Sequence, residues 1–168
     1  TATAARDLET LAAAWIELSQ ALGNDLRTYD EAELFDGYAE ALLGQLPDRD
    51  AHALDLALAR CNRNVTASQA AEVAAQCSAA IALAERATPP RLEVANTALV
   101  RLGHFQRLQG KPAEALATLR AAITQAVAIH GPQHPEVALG HYALGIALIA
   151  QDDFATGIAE LQTSLAIR

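Results

Sequence analysis

A chain of 168 residues with 52% apolar but only 4% aromatic side chains holds material for one domain with a sizeable core. Forty of its residues are alanine, and an alanine-rich, aromatic-poor core points to closely packed helices rather than a sheet. The formal charge of −8 lies wholly in residues 1–50, with 11 acidic and 3 basic side chains against 9 of each in residues 51–168, so the basic face that general nucleic-acid binding needs is missing.

Read in chain order, the apolar pattern predicts eight helices. The first covers about Thr3–Leu22, with Leu8, Leu11, Ala12, Trp15, Leu18 and Leu22 on one stripe, and stops at Gly23-Asn24. Thr28 with Glu31 is a capping-box pattern that opens the second, which buries Leu34, Phe35, Tyr38 and Leu42 and ends at Leu46-Pro47-Asp48. The third runs from about Asp50 to Asn62. After the turn Asn64-Val65-Thr66, the pair Thr66 and Gln69 opens the fourth, to about Ala87. Thr88-Pro89-Pro90 breaks the chain, since paired prolines cannot continue a helix. The fifth helix, about Leu92–Leu108, stops at Gln109-Gly110. The sixth starts at Pro112 and runs to about His130, the seventh from Pro135 to about Ala150, and the eighth, with Asp152 as its expected cap, to the last residue. Short links make antiparallel hairpins, with expected limits 1–46, 48–87, 91–130 and 135–168 within a single domain.

The chain repeats on itself every 42 residues. Arg101-Leu102-Gly103 aligns with Ala143-Leu144-Gly145, Ala115 with Gly157, Leu119 with Leu161, Ala122 with Ser164, and Ile123 with Leu165. One period earlier Cys61, Cys77, Ala80 and Ile81 fall under Gly103, Leu119, Ala122 and Ile123, while the first hairpin fits the register poorly. Small residues let two helices touch. The large ones must then pack on the next hairpin, so the hairpins stack in series.

These residues resemble the tetratricopeptide repeat family, whose first helix carries a Leu-Gly pair (Leu102-Gly103, Leu144-Gly145) and whose second carries small, large and small residues (Ala115, Leu119, Ala122; Gly157, Leu161, Ser164). The period exceeds the usual 34 or so. It is similar to the long repeats of kinesin light chains, whose His-Pro junction is matched by Ile129-His130-Gly131-Pro132-Gln133-His134-Pro135. The resemblance implies an all-α, α-α superhelix, a solenoid of about four antiparallel hairpins. Two departures stand out: Arg60-Cys61 replaces Leu-Gly, and Thr88-Pro89-Pro90 replaces the His-Pro loop. The family's association with larger bacterial signalling proteins, such as serine/threonine kinases or transcription regulators, makes a regulatory segment the alternative expectation. The lack of Met and the start at Thr1 are read as a piece or processed product of a larger protein.

The residues suggest no catalytic motif and no cofactor. Phosphate-binding loops, nucleophile elbows and paired carboxylates at motif spacing are absent, so no enzyme activity is expected of this segment. His130, His134 and His141 are too few and too scattered to be read as a metal site. Cys61 and Cys77 map to facing helices and are read as two small buried hydrophobes, with a redox disulfide as the remaining option. The expected function is a protein-interaction scaffold that binds a protein or peptide on its concave face. In the family that face is built by the first helix of each hairpin, which here places Leu58 and Asn62, then Val100, Arg101, His104 and Arg107, then Leu139, Tyr142, Ile146 and Ile149 near it. Asn62, Arg101, His104, Arg107, Tyr142 and Ile146 are the candidate partner-binding residues, with the arginines set to meet a peptide's carboxylates. The family's Lys/Asn clamp for chaperone tails is missing, since Leu58, Ala59, Val100, Tyr142 and Ala143 stand in its places. No nucleic-acid or membrane contact is expected of the segment, and self-association through exposed terminal hairpins is an option. The expected compartment is the cytoplasm, or outside it if a parent chain is membrane-anchored.

Overall fold

Eight helices form where the local chemistry allows them to start and stop: α1 (Ala2–Leu22), α2 (Tyr29–Leu43), α3 (Arg49–Cys61), α4 (Ala70–Arg86), α5 (Leu92–Leu108), α6 (Pro112–His130), α7 (Pro135–Ile149) and α8 (Phe154–Ile167). The computed structural model describes residues 2–23, 28–46, 48–63, 66 and 68–167, and no strand occurs among them. The stops read at Asn24 and Pro47, the Asn64-Val65 turn and the helix end at Arg168 lie outside the described residues.

The caps follow the sequence in part. Pro112 and Pro135 open α6 and α7, where a missing N–H costs nothing. His134, in extended conformation, accepts the Glu136 N–H on Nδ1 at 3.2 Å, and the Asp48 carboxylate accepts from the Ala51 N–H at 3.4 Å. Gly110 and Gly131, at φ of 71° and 85°, end α5 and α6 in a conformation that side chains resist. Three starts differ from expectation. The Thr28 hydroxyl donates back to the Leu22 carbonyl at 2.7 Å instead of capping α2. Gln69 Oε1 accepts the Thr66 N–H at 3.2 Å, which is half of a capping box, but α4 begins only at Ala70. Asp152 takes φ 62° to close the α7–α8 turn, and its neighbour Asp153 caps α8 by accepting the Thr156 N–H at 3.2 Å.

Each helix packs on the next, and the odd-numbered helices α1, α3, α5 and α7 also pack on one another in a row. No comparable row links the even-numbered helices among the described residues, so the odd ones line the inner side of a curved stack. The fold is therefore an all-α superhelical array of hairpins. Its core is built largely from alanine: Ala80, Ala84, Ala95, Ala98, Ala115, Ala122 and Ala126 are wholly buried, with Phe105, Leu54 and Leu119 as the largest buried side chains.

One crossing point per hairpin sets the geometry. A Cβ built on Gly103 would lie 2.6 Å from Leu119 Cγ, and one on Gly145 would lie 2.8 Å from Leu161 Cγ. In α3 and α4 the same place holds Cys61 and Cys77, wholly buried, with Cα atoms 4.6 Å apart and joined as a disulfide. This corrects their reading as two unlinked hydrophobes: an approach close enough to need glycine elsewhere is also the approach a disulfide needs. In the first hairpin the place falls to Ser19, 42 residues before Cys61, and its hydroxyl donates to the buried Asp36 carboxylate at 2.5 Å. The first hairpin is thus in register after all. A polar pair hid it, and its two members lie 17 residues apart where the cysteines lie 16 apart.

Asp36 also accepts from Arg60 Nε at 3.0 Å and from Arg63, whose side chain is as buried as its own, while Arg60 reaches Glu40 at 2.8 Å. Arg60 therefore replaces the repeat's leucine because it ties α3 back to α2. A buried carboxylate held by two guanidiniums is costly to break from one side. Replacing Cys61→Gly together with Cys77→Leu installs the third hairpin's crossing pair in the second. The wild-type chain is expected to lose several degrees of Tm on reduction, since a loop of this length contributes roughly 3 kcal/mol when closed. The double variant is expected to keep its helical circular dichroism and show the same Tm with and without reductant.

Candidate functional site

Helices α5 and α7 lie side by side on the inner face, and between them runs a groove of about 380 Å³. Its floor is apolar, made by Val100, Leu119, Leu139, Ala143, Ile146 and Ala147. Its wall carries the cations Arg101 and Arg107 with His104 between them, and Tyr142 stands on the rim, 48% exposed. No acidic side chain lines it. The wall follows from spacing: Arg101, His104 and Arg107 are three residues apart and share one face of α5.

The structure thus brings together five of the six residues singled out in the sequence: Arg101, His104, Arg107, Tyr142 and Ile146. Asn62 is the exception. It caps the C-terminus of α3 and lies outside the lining, but it accepts from Arg101 twice, on its Oδ1 at 3.4 Å and on its backbone carbonyl. Asn62 therefore positions Arg101 and does not form the wall. Ile149 departs as well: a Cβ on Gly157 would lie 2.7 Å from its Cγ1, so it fills the α7–α8 crossing. Leu58 lines a second depression beside the groove with Glu93, Val94, His130, His134 and Glu136. Thr97 belongs to both depressions and was not foreseen. Its signal is its place one turn before Arg101 on the same helix face.

Burial pushes His104 below the ordinary imidazole range, helped by the nearby Arg107 and Arg101, and burial likewise lowers Arg101. Neutral His104 can then accept from Arg107, whose Nη2 lies 3.5 Å from its Nδ1. Three of the other histidines are engaged elsewhere. His134 caps α7 and stacks on His130 with ring centroids 4.0 Å apart, and His141 pairs with Glu160 of α8 at 2.6 Å. Among the described residues no three His, Cys, Asp or Glu side chains converge as metal ligands, and no helix is long and apolar enough to cross a membrane.

Residues 94–168 match the family model of the tetratricopeptide repeat. That part of the chain belongs to the tetratricopeptide repeat family. The matched segment holds every lining residue of the groove. No curated protein matched the chain. Tetratricopeptide repeats are generally protein-interaction modules and are typically non-catalytic.

The depressed His104 gives the repeat's stability a pH dependence. Unfolded, His104 titrates near 6.5. Folded, it takes up its proton only at lower pH, so between those two values the unfolded chain binds the extra proton and stability falls as pH falls. Urea unfolding between pH 7.5 and 5 is expected to show this loss, and His104→Gln is expected to flatten it. An equal pH dependence in the variant would remove His104 as its source.

Proposed function

We propose that the chain is a protein-interaction module and that the α5–α7 groove holds an extended peptide segment of its partner. The segment pairs a carboxylate with an aliphatic or aromatic side chain a few residues away. The observation that carries this reading is the juxtaposition of Arg101, His104 and Arg107 with the apolar strip Val100, Leu139, Ala143 and Ile146, without a lining acid. A guanidinium that is partly desolvated binds a carboxylate more strongly than one in water. Tyr142, half exposed on the rim, offers a flat apolar surface of the kind enriched at interface hot spots. The 42-residue spacing of Ser19, Cys61, Gly103 and Gly145 supports long repeats of the kinesin-light-chain kind.

Arg107 is the better probe of the pair of arginines. Arg101 holds the end of α3 through Asn62, so its loss also disturbs the stack. Selection from a displayed peptide library is expected to enrich sequences with Asp, Glu or a free C-terminus near Leu, Ile or Phe. Arg107→Glu is expected to weaken the enriched peptides tenfold or more, about 1.4 kcal/mol or above, with unchanged circular dichroism. Unweakened binding by Arg107→Glu would count against the groove as the site. Because a bound carboxylate favours protonated His104, affinity is expected to rise from pH 7.5 to 6 in fluorescence titrations, and His104→Gln is expected to remove the rise.

A further inference from the structure

Four consecutive residues at the end of α3 reach four different helices. Arg60 holds Asp36 and Glu40 of α2, Cys61 is bonded to Cys77 of α4, Asn62 accepts from Arg101 of α5, and Arg63 donates to Ser19 of α1. Of these ties only the bond between Cys61 and Cys77 is opened by reduction. The crossings at Gly103 and Gly145 have no such second state, since a glycine under a leucine offers nothing to reduce.

The bond lies close to the groove in covalent terms. Cys61 is the last residue of α3, and Asn62 is its C-cap, with its N–H on the Leu58 carbonyl at 2.9 Å. Adjacent Cα atoms are held about 3.8 Å apart, so Asn62 follows Cys61 wherever it moves. Arg101 donates from Nε to Asn62 Oδ1 at 3.4 Å and from Nη2 to the Asn62 carbonyl, and Arg101 lines the groove. Both cysteines are wholly buried, with Cα atoms 4.6 Å apart. Two thiols need more room than a bonded pair, since unbonded heavy atoms settle roughly 3.5–4.0 Å apart. A close-packed crossing has no slack to supply that room. Reduction therefore displaces the end of α3 from α4, and Arg101 loses the acceptors that fix its guanidinium in the groove wall.

We propose that the bond between Cys61 and Cys77 is a redox control on the α5–α7 groove, an inference that rests on the peptide-binding reading of that groove. The reductant is a dithiol. Its thiolate attacks one sulfur, the bond between Cys61 and Cys77 breaks, and the second thiol of the reductant then displaces the protein sulfur from the mixed disulfide. The chain gains two electrons and two protons as two thiols, and the reductant leaves as its own disulfide. Because both sulfurs are buried, the exchange proceeds through local opening of the α3–α4 pair. The oxidised chain presents Arg101 already ordered. The reduced chain has to order it during binding, and so binds more weakly.

The folded chain is treated with dithiothreitol below its melting range until both cysteines react with a thiol reagent. Helical circular dichroism is expected to stay unchanged. With no peptide present, the ¹⁵N–¹H signal of Arg101 Nε is expected to shift and to exchange faster with water. Library peptides enriched on the oxidised chain are expected to bind the reduced chain about fivefold or more weakly. In Cys61→Gly with Cys77→Leu, dithiothreitol is expected to change neither reading. In Arg101→Gln, reduction is expected to leave the remaining affinity unchanged. An unmoved Arg101 signal after full reduction overturns the proposal, and so does a disulfide that the folded chain does not surrender to dithiothreitol. Equal or tighter binding by the reduced chain overturns it too, as does an Arg101→Gln chain that still weakens on reduction. If no peptide binds either form while the Arg101 signal moves, the groove reading is what fails, and the coupling between the bond and the groove wall stands.

Discussion

Everything in this molecule depends on one close approach of two helices, made once in each hairpin. An ordinary pair of helices packs 8–10 Å apart with side chains between them. Here the place on the first helix recurs every 42 residues, at Ser19, Cys61, Gly103 and Gly145, and the facing place holds Asp36, Cys77, Leu119 and Leu161. The same short distance is met by three different chemistries: a buried hydrogen bond, a covalent bond, and a glycine under a leucine. The last is used twice. What the fold requires at that point is a separation, and any side-chain pair that fits it will serve. Once the crossing is fixed, the odd-numbered helices fall into one inner row, and a groove between two of them follows.

The electrostatics grow from the same scaffold. An acidic chain carries a groove with a cationic wall because its excess of acids lies in residues 1–50, whereas Arg101 and Arg107 stand on α5 with no acid in the groove's lining. The arginines divide their work. Arg60 and Arg63 are consumed by Asp36, where they lock the second hairpin to the first, and Arg101 binds the C-cap of α3, where it locks the third to the second. Arg107 makes its contact with His104 on its own helix face and, among the described residues, bridges no hairpins. The second and third hairpins are thus each tied by a guanidinium reaching back to the one before.

Much of this was legible in the residues, and the failures have physical causes. The helices were readable from their stripes, and the period from Gly103, Gly145 and the leucines that face them. Arg101, His104 and Arg107 were readable as a cluster because helix spacing alone puts them on one face. The crossing of the first hairpin was not, because Ser19 and Asp36 look like surface residues and only the three-dimensional place shows their equivalence to Gly103 and Leu119. The disulfide was not, because a spacing of 16 residues fits many arrangements of two helices, and only the approach of their axes selects one. Asn62 sits on the expected helix but serves a different purpose, since a residue at a helix end can turn its carbonyl to a neighbour as readily as its amide to a ligand. Asp153 displaced Asp152 as a cap for a similar reason, since backbone conformation decides which of two adjacent carboxylates faces the helix start.

The repeat also shows where its own rule is strained. Asn96 of α5 is 1% exposed, and neither its Oδ1 nor its Nδ2 has a partner. One period later the place is Ala138, wholly buried and apolar. The last hairpin also buries a polar group at this level, but there the Ser164 hydroxyl donates to the Ala138 carbonyl at 2.7 Å and is satisfied within the hairpin. A buried amide without partners costs about 1–3 kcal/mol. The third hairpin bears that cost on the helix that also supplies the cationic wall of the groove. Its stability must therefore come from its neighbours, through Arg101 on one side and the cluster of Leu119, Leu144 and Ala147 on the other. That helix is held from both sides. The groove proposed above lies on these same contacts, so a partner gripping Arg101 or the α7 floor would also bear on what keeps α5 in the stack.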